Sequence, residues 1–286
     1  MSSGTGLRVL TAAILIPVVV AAIWWGPNWL IALMTAAVSI LALHEFLSIA
    51  AQGNLPSYRR WTYVAAAGII AQQFYAARQA SVATVGELLN RSPRIDLHLV
   101  LFGILIGYAV IALSSASLSE VLPAISVSSA GLIFIVLPLS TVVRLHGVGD
   151  IGPKLLLFTV VLVWAGDSAA YFAGRSIGGW KFAPTISPNK TWAGAIANFL
   201  GALFVAAIFG YWNGIPPIHM LAMGAVGSVA GQIGDLFESA WKRSAGVKDS
   251  GTILPGHGGM LDRIDALILA APAVWYYFEW VVMKRY

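Results

Sequence analysis

Apolar runs follow one another along nearly the whole chain, each about 20 residues long, the length an α-helix needs to cross a bilayer. They fall near residues 7–26, 28–50, 61–77, 97–117, 126–143, 154–174, 191–212, 216–240 and 261–281. The third is short, and polar residues interrupt the eighth. Of the 286 residues, 58% are hydrophobic and only 10% charged, and the mean hydropathy is +0.80. A soluble domain of this length buries its core with far fewer apolar residues, which sets aside a soluble helical protein. The expected fold is all-α: a polytopic integral membrane protein with about nine transmembrane helices. Gly26-Pro27, Asn54-Leu55-Pro56, Gly152-Pro153, Ser187-Pro188-Asn189 and Gly214-Ile215-Pro216-Pro217 separate the runs with turn chemistry. No repeat, low-complexity tract or long linker stands out. One membrane-embedded domain over 1–286 is therefore expected, with N-terminal spans in 1–150 and the chemistry and its cytoplasmic loops in 151–286. The first run follows a single arginine and lacks a small-residue cleavage site, so it reads as a retained span rather than a signal peptide.

The net charge of +5 suits loops lying against anionic headgroups, so membrane lipids are expected neighbours. No contiguous basic face points to nucleic acid. The absence of cysteine excludes disulfides, thiolate metal sites and cysteine nucleophiles. In a nine-span arrangement Arg8, Arg59-Arg60, Arg175, Lys181, Lys190 and Lys242-Arg243-Lys248 share one side. The loops near Pro27 and 213–217 carry no lysine or arginine. Arg78, Arg91, Arg94, Arg144, Lys154, Lys284 and Arg285 weaken the contrast. The bias places the N-terminus and the charged loops in the cytoplasm, which in a bacterium means the inner membrane.

Chemistry concentrates between Asp235 and Asp265, where Asp235, Glu238, Lys242, Arg243, Lys248, Asp249, Asp262, Arg263 and Asp265 sit between apolar runs. Charge in or beside a bilayer is costly and is kept for function. At 100° per residue, Asp235, Glu238, Ser239 and Lys242 share one helical face, as do Asp262 and Asp265. Between them, Gly256-His257-Gly258-Gly259 has little side-chain bulk and can offer backbone N–H groups to an anion. Carboxylates do not bind phosphates directly, but they hold a hard cation that does, while lysine and arginine neutralise the remaining oxygens. The bland alternative is a set of structural ion pairs such as Asp235–Lys242 and Asp262–Arg263. A second polar island comprises Asp167-Ser168, Tyr171 and Arg175, then Ser187-Pro188-Asn189-Lys190-Thr191. There a turn would present Lys190 and Thr191 at a helix N-terminus suited to phosphate, or simply cap that helix. Asp167 would otherwise pair with Arg175 or Lys190. His44-Glu45 reads as a buried structural pair, and His146 and His219 as loop or interfacial residues. Trp24, Trp25, Trp212 and Trp280 read as interfacial anchors.

Ser239-x-x-Lys242-Arg243, Lys248-Asp249 and Pro255-Gly256-His257-Gly258-Gly259-x-x-Asp262-Arg263-x-Asp265 closely resemble the signature of CDP-diacylglycerol synthases (phosphatidate cytidylyltransferases). Gly234-Asp235-Leu236-x-Glu238-Ser239, Asp167-Ser168-x-Ala170-Tyr171 and Ser187–Thr191 look like further elements of that family. The resemblance implies that CTP and phosphatidate give CDP-diacylglycerol and pyrophosphate, with Mg²⁺ and room for a second cation. Asp235 and Asp262 are then the leading metal ligands, with Asp265, Glu238 and Asp167 in reserve. Lys190, Lys242, Arg243, Lys248 and Arg263 would bind phosphates, and Thr191, Ser239, His257, Gly258 and Gly259 would contact substrate. Lys242 and Arg263 join the two aspartates as the catalytic set. A homodimer is left open. The competing readings are a cytidylyltransferase for another lipid phosphate and a transporter with charges along its path. A CDP-alcohol phosphotransferase is disfavoured because its DGxxAR element is absent.

Overall fold

Gly26 and Pro27 end one helix and begin the next. Gly26 donates to Ala22 O as the last bond of α1 (Ser3–Trp25), and Pro27, extended at φ −71°, caps α2 (Asn28–Gln52). The structure is a computed structural model describing residues 3–86, 95–115, 117–213, 215–253 and 258–283, with the backbone alone for 3–12 and 80–86. His257 and Gly256 of the expected glycine loop lie outside these residues, as do Arg91, Arg94, Lys284 and Arg285 of the charge bias. After α2 the chain turns at Asn54, whose φ of +57° is left-handed. Asparagine tolerates that region better than other residues with a Cβ.

The chain divides into two compact units, Met1–Pro153 with Asp249–Leu261, and Lys154–Lys248 with Asp262–Tyr286. The first contains α1, α2, α3 (Arg59–Gly86), α4 (Leu97–Leu113), α5 (Leu118–Gly131) and α6 (Leu137–His146). Between α5 and α6, Leu132–Val136 forms a π-helical turn. Pro138 follows in the first turn of α6, and its missing N–H is a usual reason for a helix to widen just ahead. Helices α2, α3 and α6 pack on one another around Leu43, Leu47, Ile69, Leu139 and Val143, all fully buried. Two expectations change here. His146 is buried, its ring between Asn28 Oδ1 and Ile23 O. His44 and Glu45 are not a pair: Glu45 is buried, whereas His44 is exposed and bonds Tyr63 at 3.0 Å.

The second unit contains α7 (Gly152–Ser176), α8 (Trp192–Asn213), α9 (Pro217–Ser244) and α10 (Leu261–Tyr277), which ends in a π-helical turn over Phe278–Val282. An antiparallel hairpin of β1 (Lys181–Ala183) and β2 (Ser187–Thr191) precedes α8. It corrects the turn expected at 187–191. Pro188 cannot donate to a ladder and hides the strand from a reading of pattern alone. Helix α8 shows how the fold meets its surroundings: Ile196, Leu200 and Phe204 point outward, while Gly194, Asn198, Ala202 and Ala206 are buried. Apolar outside and small or polar inside suits lipid rather than water. His219, expected at an interface, is buried and bonds the Tyr277 hydroxyl.

The nine apolar runs coincide with nine helical stretches among the described residues, the fifth formed by α5 and α6 together. Six of these stretches are long and apolar enough to cross a membrane; α4 and residues 13–25 are shorter apolar helices. The protein is thus a helical membrane protein, with six candidate spans by length and composition among the described residues. Trp24, Trp25, Trp212 and Trp280 stand exposed near helix ends.

Glycines at 224, 227, 231 and 234 form a buried stripe along α9. A Cβ at Gly224 would lie 2.7 Å from Ala206 Cβ of α8, and one at Gly234 only 2.5 Å from the Asp265 carbonyl oxygen of α10. Small residues let these backbones approach, as in close-packed membrane helices generally. Gly234→Ala should force α9 and α10 apart and lower the melting temperature in detergent, at a cost of about 1–3 kcal/mol. Gly103→Ala, with nothing within 4 Å of the added Cβ, should leave it unchanged or higher. Equal melting temperatures for the two variants would remove the close contact.

Candidate active site

The C-terminal turns of α9 place Asp235, Glu238, Ser239 and Lys242 at successive helical positions, and the last three are buried. Helix α10 begins with Asp262 and Asp265 on consecutive turns. Lys242 joins the two helices. Its Nζ lies 2.6 Å from Asp262 Oδ1 and 2.7 Å from Glu238 Oε2. The three side chains are almost wholly enclosed, with Glu238 only 1% exposed. One ammonium therefore serves two carboxylates, and Glu238 Oε1 has no hydrogen-bond partner among the described residues. Glu238 Oε2 lies close to the ammonium without hydrogen-bond geometry, so that contact is Coulombic. Lys242 thus pairs with Asp262 and Glu238 rather than with Asp235 as expected.

Asp235 pairs instead with Lys190, Oδ2 to Nζ 2.6 Å. The hairpin delivers that lysine. Trp192 N donates to Trp180 O to close its base, and the rings of Phe182 and Trp192 meet edge to face at 4.7 Å. Thr191 Oγ1 accepts from Gly194 N at 3.1 Å, so Thr191 caps α8 and a capping role is what this geometry displays. Lys190 is thereby held at the start of a helix.

Asp167, Lys190, Thr191 and Asp235 line one cavity of about 270 Å³, with Tyr171, Phe182, Asn189, Asn198 and Gln232 among its walls. Asp167 lies within electrostatic range of Lys190, and Asn198 Nδ2 donates to its Oδ1 at 3.3 Å, while Arg175 donates to the Tyr171 hydroxyl instead. Behind it, Ser228 Oγ donates to Asn198 Oδ1 at 2.7 Å, and Gln232 Nε2 reaches Ser228 Oγ at 3.3 Å. Because Ser228 fills the amide oxygen, the amide nitrogen must face Asp167. Asp265 lies within electrostatic range of Asp235, Glu238 and Asp167, and its Oδ1 accepts from Ala266 N.

Arg243 is exposed and uses two donors on the carbonyls of Ile186 and Val247. Lys248 and Arg263 are exposed. Gly258, at φ +83°, and buried Gly259 belong to the other compact unit, with Asp249–Leu261. Sequence reasoning missed Asn198, Ser228 and Gln232. The signal was there: Asn198 is the one amide in the apolar run from Trp192 to Trp212, and Ser228, Gln232 and Asp235 follow helical spacing.

These residues fit a hard cation in one respect and limit it in another. Five carboxylates, Asp167, Asp235, Glu238, Asp262 and Asp265, stand against two lysines, with one carboxylate oxygen orphaned in a buried place. All-oxygen donors suit Mg²⁺. Among the described residues, however, no three acidic or histidine side chains converge closely enough to hold one ion. Mg²⁺ commonly takes one or two carboxylates and completes its shell with water and substrate phosphate, so two suffice.

A sequence profile described as "Cytidylyltransferase family" matches residues 6–281. The chain is 45% identical over 157 residues to the phosphatidate cytidylyltransferase of Brucella suis, covering 52% of this chain and 56% of that protein. Against the phosphatidate cytidylyltransferase of Haemophilus influenzae identity is 45% over 137 residues, 46% of this chain and 48% of the relative. Against that of Bacillus subtilis it is 43% over 136 residues, 47% and 51%. The matched region spans about half the length of these curated relatives. With the profile running over nearly its whole length, the chain belongs to the cytidylyltransferase family.

Proposed function

We propose that the protein is a membrane-embedded phosphatidate cytidylyltransferase that converts CTP and phosphatidate to CDP-diacylglycerol and pyrophosphate. The observation that carries this reading is the excess of carboxylates over lysines at the meeting of α7, α9, α10 and the hairpin, in a chain of the cytidylyltransferase family. A phosphate oxygen of phosphatidate attacks the α-phosphorus of CTP in line. The bond from that phosphorus to the bridging oxygen breaks, and pyrophosphate leaves. The nucleophile needs no dedicated base, because a phosphate monoester is largely dianionic near neutrality, with a second pKa of about 6. Catalysis is then mostly positioning and electrostatics.

Asp235 and Asp262 are the leading residues to hold Mg²⁺, with Glu238, Asp265 and Asp167 as additional or supporting ligands. When bound, Mg²⁺ would neutralise phosphate charge and let two anionic substrates meet; the carboxylates left over make a second cation reasonable. Lys190 and Lys242 each carry a compact charge on a flexible stem. With Asp235, Glu238 and Asp262 holding Mg²⁺, these ammonium groups would be available to phosphate oxygens. Lys248, Arg243 and Arg263 add positive charge for the triphosphate and the departing pyrophosphate. Ser239 adds a hydroxyl to the proposed substrate contacts. Nine spans, an N-terminus in the cytoplasm and a site at the cytoplasmic face of the inner membrane would give soluble CTP access while acyl chains stay in lipid.

Incubating the purified protein with labelled CTP, phosphatidate and Mg²⁺ should yield labelled lipid and an equal amount of pyrophosphate. No lipid product would sink the reading, and label preferring a competing lipid phosphate would reassign the substrate. CTP-independent flux through proteoliposomes would favour the transporter instead. Asp235→Asn and Asp262→Asn, folded as judged by melting temperature, should each lose activity on the order of 10²-fold or more, and a chelator should abolish it reversibly. Near-normal turnover by Asp262→Asn at saturating Mg²⁺ would remove that aspartate as a ligand. Lys242→Arg should also fail, since the planar, rigid guanidinium does not replace a compact ammonium enclosed between two carboxylates. Wild-type rates from it would argue that only charge matters there.

A further inference from the structure

Glu45 is a carboxylate buried to 2% exposure in the middle of the apolar helix α2, and nothing in the reaction proposed above uses it. Its partners are distant in sequence but belong to the same compact unit. Oε2 accepts from Ser250 Oγ at 3.0 Å and from Leu261 N at 2.8 Å, and Oε1 accepts from Met260 N at 2.9 Å. Gly251 and Gly259 press against the carboxylate from the same segment. A Cβ on either would come within 2.6 Å of a Glu45 oxygen. A buried anion is costly unless charge-assisted hydrogen bonds satisfy it, and here three donors from the 249–261 segment do so. In return, both described ends of that segment are tied to one point.

We propose that Glu45 is a positioning residue for the reaction: it ties Ser250 to Met260 and Leu261 and fixes the backbone at Leu261, whose next residue in the chain is Asp262. The inference rests on the cytidylyltransferase reading. Two carboxylate oxygens accept three hydrogen bonds, an arrangement glutamine cannot reproduce. Its amide nitrogen would confront Met260 N–H in one orientation, and both Leu261 N–H and Ser250 in the other. Glu45→Gln conserves size and helix propensity while setting a donor against a donor. An error of about 1 Å in the placement of a reacting group can cost on the order of 10²-fold in rate.

The test combines hydrogen–deuterium exchange on the full-length protein, which needs no turnover, with steady-state kinetics. Glu45→Gln should speed exchange at Met260 and Leu261 while leaving α3 and α6 protected. It should lower kcat by about tenfold or more with KM for CTP little changed, and raise the Mg²⁺ concentration at half-maximal rate. Ser250→Ala, which removes one donor and keeps both backbone bonds, should do the same to a smaller extent. His44→Ala, one residue away but exposed and bonded to Tyr63, should match wild type. Unchanged exchange in Glu45→Gln, or changed exchange with wild-type kcat and Mg²⁺ response, overturns the proposal. If Glu45→Gln does not fold, Ser250→Ala decides: wild-type exchange and kcat overturn it, and a rise in the first with a fall in the second supports it. A wild-type protein that makes no CDP-diacylglycerol refutes the activity instead, while the exchange data still report on the tie.

Discussion

An ammonium shared by two carboxylates in an apolar helix bundle constrains everything around it. Removing a charge from water costs several kcal/mol even after relaxation, so each buried ion must find partners of good geometry. Lys242 satisfies Asp262 with a direct hydrogen bond and Glu238 by proximity, and Glu238 Oε1 has no hydrogen-bond partner among the described residues. That shared charge requires α9 and α10 to lie close together at this level. The glycines of α9 permit it, above all Gly234 against the Asp265 carbonyl. The small residues of the stripe are thus the steric condition for the electrostatics, and neither serves the fold well without the other.

An arrangement built for stability alone would have matched its charges. Lys190 and Lys242 face Asp167, Asp235, Glu238, Asp262 and Asp265, and the shortfall is concentrated where the chain could most cheaply have used apolar residues. Supporting groups follow the same pattern: Ser228 and Gln232 fix the amide of Asn198, which in turn faces Asp167. On the proposed reading, this relay orients Asp167 through a neutral amide and would keep that acid available for a cation or a substrate. Ion pairs placed only to tie helices together would not need it.

The periodic parts of this fold were legible and the compensating parts were not. Runs of apolar residues and their Gly-Pro breaks mark most helix ends to within a few residues, because membrane helices need little beyond length and hydrophobicity; α3 runs on to Gly86 rather than 77, and α5 begins at Leu118 rather than 126. The charged motif likewise put Asp235 and Lys242 on one face of a helix and Asp262 with Asp265 on one face of the next, as 3.6-residue spacing requires. Which acid takes which base was beyond that reasoning. Lys190 reaches Asp235 only because Trp180, Phe182 and Trp192 shape a hairpin whose second strand contains a proline. His146 and His219 looked like surface residues because histidine is polar, yet each ring finds partners from another helix. Span count depends on the same distinction. Helix α3 has the length but carries Arg59, Arg60, Gln72, Gln73 and Arg78, so length and apolarity part company there.

Glu45 and Lys242 represent two solutions to one difficulty, and the contrast separates fixed structure from chemistry. Glu45 is an anion saturated by neutral donors, two of them backbone N–H groups. Such donors cannot leave without unfolding the segment that carries them, so the contact is permanent. Around Lys242 the counter-charge sits on a flexible four-carbon stem, and a buried carboxylate oxygen has no hydrogen-bond partner among the described residues. An ammonium on such a stem can exchange its partners at the expense of a side-chain rotation. A carboxylate meant to bind a cation and release it should be held by a partner of that second kind. A carboxylate meant to hold a loop should be held by the first.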